Sequence, residues 1–213
     1  MEYRFVLYAE GAGETGGRDR LLPPPGAELR EEALGPAHFL IARCVEPRQV
    51  VFLAPLRKRG GRAATGSDFL RRRTLRQLLT TFDGSLRIDL MVVLVDHDGD
   101  KKRKATLDAH VEFHHFAPRI ISVAVKEFES WLIGDDQLLR GMTAALPDLP
   151  RHPEKLRPGE AKNLLGKVLQ DGGGSAAIAA RRIEIARRCD LEIVSRICPS
   201  FQQLRADLKR ILG

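Results

Sequence analysis

The chain has 213 residues, 43% of them apolar and 6% aromatic, with a net charge of +7 and a pI near 9.7. That is enough for one sizeable α/β domain, or a domain with an appended helical piece, and no stretch is apolar for long enough to span a bilayer. Cys44, Cys189 and Cys198 form no CxxC pair, which argues against a disulfide scaffold or zinc finger and for a reducing compartment.

The chain runs straight into a strand, Tyr3 to Ala9, with no basic n-region or long apolar h-region, so the expected location is the cytoplasm. That strand ends at Glu10-Gly11-Ala12-Gly13-Glu14. The glycines allow a tight turn and close backbone approach, but their spacing is not GxGxxG, and no Gly-Lys-Ser/Thr makes a phosphate loop. Glu10 and Glu14 instead put carboxylates at the strand's C-terminal edge, where open α/β sheets gather ligands. Residues Gly16 to Gly26, with Pro23-Pro24-Pro25, read as a stiff connection. A helix is expected from Ala27 to Arg43, bent at Pro36, then a second strand from Gln49 to Leu53.

Lys58, Arg59 and Arg62 lie in a basic, glycine-containing loop, and Ser67 is the expected N-cap of a helix through Phe82. Arg71, Arg72, Arg73 and Arg76 on that helix fit either a solvated face or a nucleic-acid track. The run Ile88 to Val95 is apolar on both faces, as a buried central strand of a parallel sheet requires. It ends in Asp96-His97-Asp98-Gly99-Asp100. Carboxylates on alternate residues point the same way while the chain stays extended. Their repulsion is relieved either by a divalent cation or by solvent after an Asp-Gly turn, and this stretch alone leaves both open. All-oxygen donors suit Mg²⁺ or Mn²⁺ over zinc.

Lys101, Lys102, Arg103 and Lys104 begin a helix reaching about His115. Four bases at a helix N-terminus oppose its dipole, so an anion is expected near them; either a bound polyanion or Asp96, Asp98 and Asp100 themselves supply it. The fourth strand, Arg119 to Val125, runs into Lys126-Glu127-Phe128-Glu129-Ser130-Trp131. After a proline-rich stretch, Ala144 to Gly159, helices are expected at Glu160 to Leu169, Ala176 to Arg188 and Phe201 to Leu212, with a short segment at Asp190 to Arg196. The β-α alternation predicts a mainly parallel four-stranded sheet flanked by helices.

Three strand ends of four therefore carry acids, the arrangement that metal-assisted phosphoryl chemistry uses. The glutamate and glycine after strand one, with Asp-x-Asp after strand three, resemble the Toprim fold of topoisomerases, primases and overcoming-lysogenization-defect nucleases. More narrowly, Leu7-Tyr8-Ala9-Glu10-Gly11, Val95-Asp96-His97-Asp98-Gly99-Asp100, Lys126-Glu127-Phe128-Glu129-Ser130-Trp131-Leu132 and Cys198-Pro199-Ser200-Phe201 resemble the Toprim-like domain of unknown function 4276. The resemblance implies a Toprim-like core over residues 1–143 and a helical extension over 144–213, packed as one unit. It implies catalytic roles for Glu10, as general acid/base or metal residue, and for the metal-binding Asp96 and Asp98; the convergence of acids at the strand ends extends the expected metal shell to Glu14, Asp100, Glu127 and Glu129. It also implies an ATPase partner and a place in anti-phage defence.

Three functions follow as expectations. The first is a Mg²⁺- or Mn²⁺-dependent nuclease whose Lys58, Arg59, Arg62, Arg72, Lys101, Lys102, Arg103 and Lys104 hold nucleic acid, DNA ahead of RNA. The second is a non-catalytic adaptor binding nucleic acid or an ATPase. The third is a phosphatase or nucleotidyl transferase acting on a small nucleotide. A homo-oligomer fits any of them.

Overall fold

Four strands, β1 (Glu2–Ala9), β2 (Gln49–Leu53), β3 (Leu90–Asp96) and β4 (Arg119–Ala124), pair in the order β2-β1-β3-β4, every pairing parallel. They belong to a computed structural model that describes residues 2–15, 22–58, 64–82, 84–111, 117–143, 147–169 and 174–213. The helices along the chain are α1 (Ala12–Thr15), α2 (Pro36–Cys44), α3 (Gly66–Phe69), α4 (Arg72–Thr80), α5 (Arg103–His110), α6 (Glu129–Leu132) and α7 (Asp136–Met142). The last four are α8 (Glu160–Leu169), α9 (Ser175–Arg188), α10 (Leu191–Ile197) and α11 (Pro199–Leu212).

Alternate side chains of each strand face opposite sides of the sheet. Phe5, Leu7 and Ala9 of β1, with Leu90, Val92 and Leu94 of β3, join a core completed by α2, α8, α9, α10 and α11. Val6 and Tyr8, with Met91, Val93 and Val95, join a second core against Leu75, Leu78 and Leu79 of α4 and Leu107 of α5. Both faces are covered, so the whole run Leu90 to Val95 is at most 2% exposed. A strand buried on two faces has no place for alternating polar residues, which is why its sequence reads as an unbroken apolar run.

The helices beyond residue 143 are tied to the sheet by polar contacts as well as by this shared core. Ser200 Oγ accepts hydrogen bonds from Trp131 Nε1 at 2.9 Å and from the Val125 N–H at 3.2 Å, and donates to Glu154. Trp131 is a core anchor at 1% exposure, its ring 5.5 Å from Phe128 and 5.2 Å from Phe201.

The structure departs from the sequence-based expectation in three connections. No helix spans Ala27 to Arg43: Glu28 forms a bridge to Leu53, a single 3₁₀ turn covers Glu31–Ala33, and α2 begins only at Pro36. Proline's fixed φ and missing N–H suit the first position of a helix, and the residue before it is driven extended, so Pro36 starts the helix instead of bending it. Ser67 is not the N-cap of the next helix; Thr65 is, and its N–H and hydroxyl both donate to Asp68 at 2.8 and 2.9 Å. The expected single helix to Phe82 is split into α3 and α4 by Arg71, which is extended. His114, His115 and Gly172 lie outside the described residues. Among the described residues, no helix is long and apolar enough to cross a membrane.

Candidate metal centre

The chain moves from β1 outward to β2 on one side and returns to β3 on the other, so the topological switch lies between β1 and β3, where sheets of this kind open a crevice. Glu10 follows β1, and Asp96 ends β3. Glu10 Oε2 spans the gap, accepting the Asp96 N–H at 2.8 Å. The glycine-rich turn then enters α1 at once, and this one-turn helix places Glu14 at the strand ends with 5% exposure. After β4, Lys126 adopts a left-handed backbone (φ 65°), a conformation that costs a non-glycine residue on the order of 1 kcal/mol. The bend delivers the Phe128 N–H to Asp96 Oδ1 at 2.7 Å and opens α6 on Glu129, which is 4% exposed. One carboxylate oxygen from each of Glu14, Asp96 and Glu129 consequently lies within 4.8 Å of the other two.

Burial is the main cause that pushes Glu14 up to about 7; the backbone N–H groups of Glu14 and Gly11 oppose it, and the charges of Glu129 and Glu10 add to it. Burial also raises Asp96 to about 8, with Glu14 adding to it and the Phe128 N–H opposing. Glu10 is raised by burial too, against the Asp96 N–H and Arg103, which favour its charged form. Among the described residues, Glu14 Oε2 is fully buried with no well-formed hydrogen bond, a costly state for a carboxylate oxygen. The three donors are hard oxygens, and oxygens about a Mg²⁺ ion lie within about 4.2 Å of one another, so a small inward closure fits the group to Mg²⁺ or Mn²⁺. Glu14, Asp96 and Glu129 are the residues that would hold it.

Two arginines border the cluster. Arg182 of α9 contacts Glu129 Oε1 at 3.1 Å. Arg103, buried at the start of α5, directs Nη1 at Glu10 Oε2 (3.3 Å), Asp98 Oδ2 (2.9 Å) and the Asp96 carbonyl oxygen. For Arg103, the anion expected near this helix start is thus supplied by the chain's own acids.

The remaining expected ligands stand elsewhere. Asp98 is exposed, left-handed at φ 47° ahead of Gly99 at φ 80°, and faces Arg103. Asp100 is also exposed and accepts the Lys102 N–H at 2.9 Å, so it shapes the turn. Glu127 points away: its two oxygens accept the Gly159 and Lys162 N–H groups at 2.6 and 3.1 Å, capping α8. These donors are orphans of a helix N-terminus and need a partner. His97 Nδ1 accepts the Gly99 N–H, and burial together with Lys126 holds it below the ordinary histidine range.

Of the expected nucleic-acid contacts, Arg103 is committed to the carboxylates and is not a surface cation. Lys58 pairs with Asp68 at 2.6 Å. Lys101, Lys102, Lys104 and Arg72 are exposed, and Lys104 reaches Asp108 on its own helix. Arg59 and Arg62 lie outside the described residues.

Sequence reasoning missed Arg182 and Gly66. Arg182 sits in an arginine-bearing helix with nothing local to single it out. At Gly66 an added Cβ would stand 1.8 Å from Glu10 Oε1, so glycine alone lets the backbone approach that carboxylate. The glycine-threonine-serine context reads simply as a turn. Beside Glu10, a cavity of about 250 Å³ is lined by Ala9, Thr15, Leu29, Leu56, Arg57 and Phe69, among others.

These features define a class: a parallel α/β protein with helices on both faces and a buried carboxylate cluster at the switch point of its sheet. Within that class the chain belongs to the family described as the domain of unknown function DUF4276, which matches residues 32–209. The match takes in Asp96, Asp98, Glu127 and Glu129 and begins after Glu10 and Glu14. Comparison with curated proteins and with solved structures gives no match.

Proposed function

We propose that the protein is a divalent-metal-dependent enzyme of the Toprim type that cleaves phosphodiester bonds in nucleic acid. The observation that carries this reading is the convergence of Glu14, Asp96 and Glu129, with one buried oxygen of Glu14 lacking a well-formed hydrogen bond among the described residues. A bound Mg²⁺ or Mn²⁺ ion would polarise a phosphoryl oxygen and lower the pKa of water. Asp96 is oriented for this by the Phe128 N–H, and Glu129 by Arg182. Glu10, half-buried and raised by burial, would take or give a proton beside the crevice. Lys101, Lys102 and Lys104 stand exposed immediately after the acidic turn, where they would hold backbone phosphates.

The test is incubation of purified protein with single- and double-stranded DNA and RNA, with Mn²⁺ or with chelator. The expected result is cleavage that needs the metal and disappears in Asp96→Asn. A Mn²⁺-induced rise in melting temperature without cleavage of any of these polymers would overturn the nuclease reading and leave a metal-dependent adaptor. One observation favours a small nucleotide as substrate: the cavity beside Glu10 is mainly apolar and, at about 250 Å³, falls below the usual drug-sized pocket range. It would take a single base. Turnover of mononucleotide esters but not of polymers would decide for that reading.

A further inference from the structure

Five carboxylates meet at this edge, yet they fall into two groups with different counter-charges. Glu14, Asp96 and Glu129 are the inner group, offset among the described residues only by Arg182 at Glu129. Glu10 and Asp98 are the outer group, and the Arg103 guanidinium lies between them. The inner group is left with two uncompensated negative charges when all three are ionised, the outer group with one.

We infer that Arg103 is the resident second cation of this centre, so that the chain takes one divalent ion, at the inner carboxylates, and not a pair. The inference rests on the metal reading above and adds to it the number of ions and a residue that positions the outer acids. Three observations carry it. Nη1 stands 3.3 Å from Glu10 Oε2 and 2.9 Å from Asp98 Oδ2, so an ion bridging those carboxylates would have to occupy the place of the guanidinium. Nη1 also donates to the Asp96 carbonyl oxygen, which anchors it to the end of β3. Finally, the Arg103 side chain is only 11% exposed. Withdrawing a buried guanidinium from two carboxylates leaves charges without partners, which is strongly unfavourable. The inner group differs in that, among the described residues, a cation stands on only one of its three members and a carboxylate oxygen, Glu14 Oε2, is orphaned.

A two-metal centre clamps the attacking and leaving oxygens with two ions about 4 Å apart. Here the fixed guanidinium takes the second position. Arginine keeps its charge at every working pH, so the positive charge on the outer acids would be insensitive to chelators.

The experiment is a titration of the metal-free full chain with Mn²⁺ alone, counting bound ions by calorimetry and by the paramagnetic resonance signal of free Mn²⁺. Wild type is expected to bind one ion per chain, and Glu10→Gln to leave that count unchanged. Arg103→Gln vacates the outer position and is expected to raise the count to two. Adding Glu10→Gln to Arg103→Gln should return it to one, and Arg103→Lys should stay at one. Two ions in wild type, falling to one in Glu10→Gln, would overturn the inference while leaving the metal centre standing. An unchanged count of one in folded Arg103→Gln would also overturn it. No bound ion in wild type would overturn the metal centre itself, and this inference with it. If circular dichroism shows Arg103→Gln unfolded, the wild-type and Glu10→Gln counts decide the matter alone.

Discussion

Glu14→Gln separates a ligand from a structural acid, because the substitution should act in opposite directions with and without metal. Glu14 is raised from about 4.5 to about 7, chiefly by burial. Between those values the folded chain holds a proton that the unfolded chain has released, so the native state loses stability as pH rises through this window and the whole penalty is present above it. At about 1.4 kcal/mol per pH unit, the penalty is at most about 3 kcal/mol. Glutamine keeps the shape and removes the charge. In chelator at pH 8, Glu14→Gln should therefore melt higher than wild type, by up to about 6–12 °C for a chain of this length. Near pH 4.5 the difference should vanish. Saturating Mn²⁺ reverses the order, since an ion at about 1,000 times its Kd adds about 4.1 kcal/mol to wild type and little to the variant. Differential scanning calorimetry at two pH values, with and without Mn²⁺, reads all four conditions. A Glu14→Gln protein that is less stable than wild type in chelator, or gains the same shift from Mn²⁺, would refute the reasoning.

Four further outcomes are expected. In chelator, the wild-type unfolding free energy in urea should fall as pH rises from 5 to 8, because Glu14 (about 7) and Asp96 (about 8) titrate higher folded than unfolded; a rise over that range would contradict the buried-acid assignment. Gly66→Ala should cost about 1–3 kcal/mol by overpacking and abolish cleavage by expelling Glu10 from its place, while the Mn²⁺ count stays at its wild-type value. Glu127→Ala should destabilise by about 1–2 kcal/mol as α8 loses its cap, yet leave the Mn²⁺ melting shift intact; loss of that shift would return Glu127 to the metal shell. Neutralising Lys101, Lys102 and Lys104 together should weaken nucleic-acid binding and flatten its salt dependence by about 0.7–0.9 slope units per lost phosphate contact. An unchanged slope would remove these lysines from the interface.

The strands were legible because each is specified by its own few residues. The apolar run Leu90 to Val95 reads as a strand covered on both faces, with Ile88 and Asp89 falling just before it, and the second strand, Gln49 to Leu53, has the expected boundaries. Acids at three strand ends were legible for the same local reason. Which of them meet was not, because that depends on pieces too short for periodicity to register. The turn of α1 carries Glu14 inward, and the left-handed Lys126 sends Glu127 toward α8 and Glu129 toward Asp96. Both late glutamates belong to one motif, and only the three-dimensional course of Lys126 to Trp131 divides them between a cap and a cluster. Arg103 looked like one of four surface bases; its neighbours remain exposed, and only its position on the first turn of α5 turns it back to the strand end. Arg182 lies 53 residues beyond its partner Glu129, beyond the reach of any local pattern.

The seating of Glu127 and Glu129 bears on where this chain can be divided. A fragment ending at Thr143 would retain all four strands and all five crevice acids. It would lack Arg182, the amides of Gly159 and Lys162, and the Ser200 hydroxyl that fastens Trp131. The segment bearing both glutamates would then be free to take other courses, and the crevice would lose one wall even with its sheet intact. The C-terminal helices are in this sense part of the crevice's scaffolding, and the working unit reaches at least as far as Ser200.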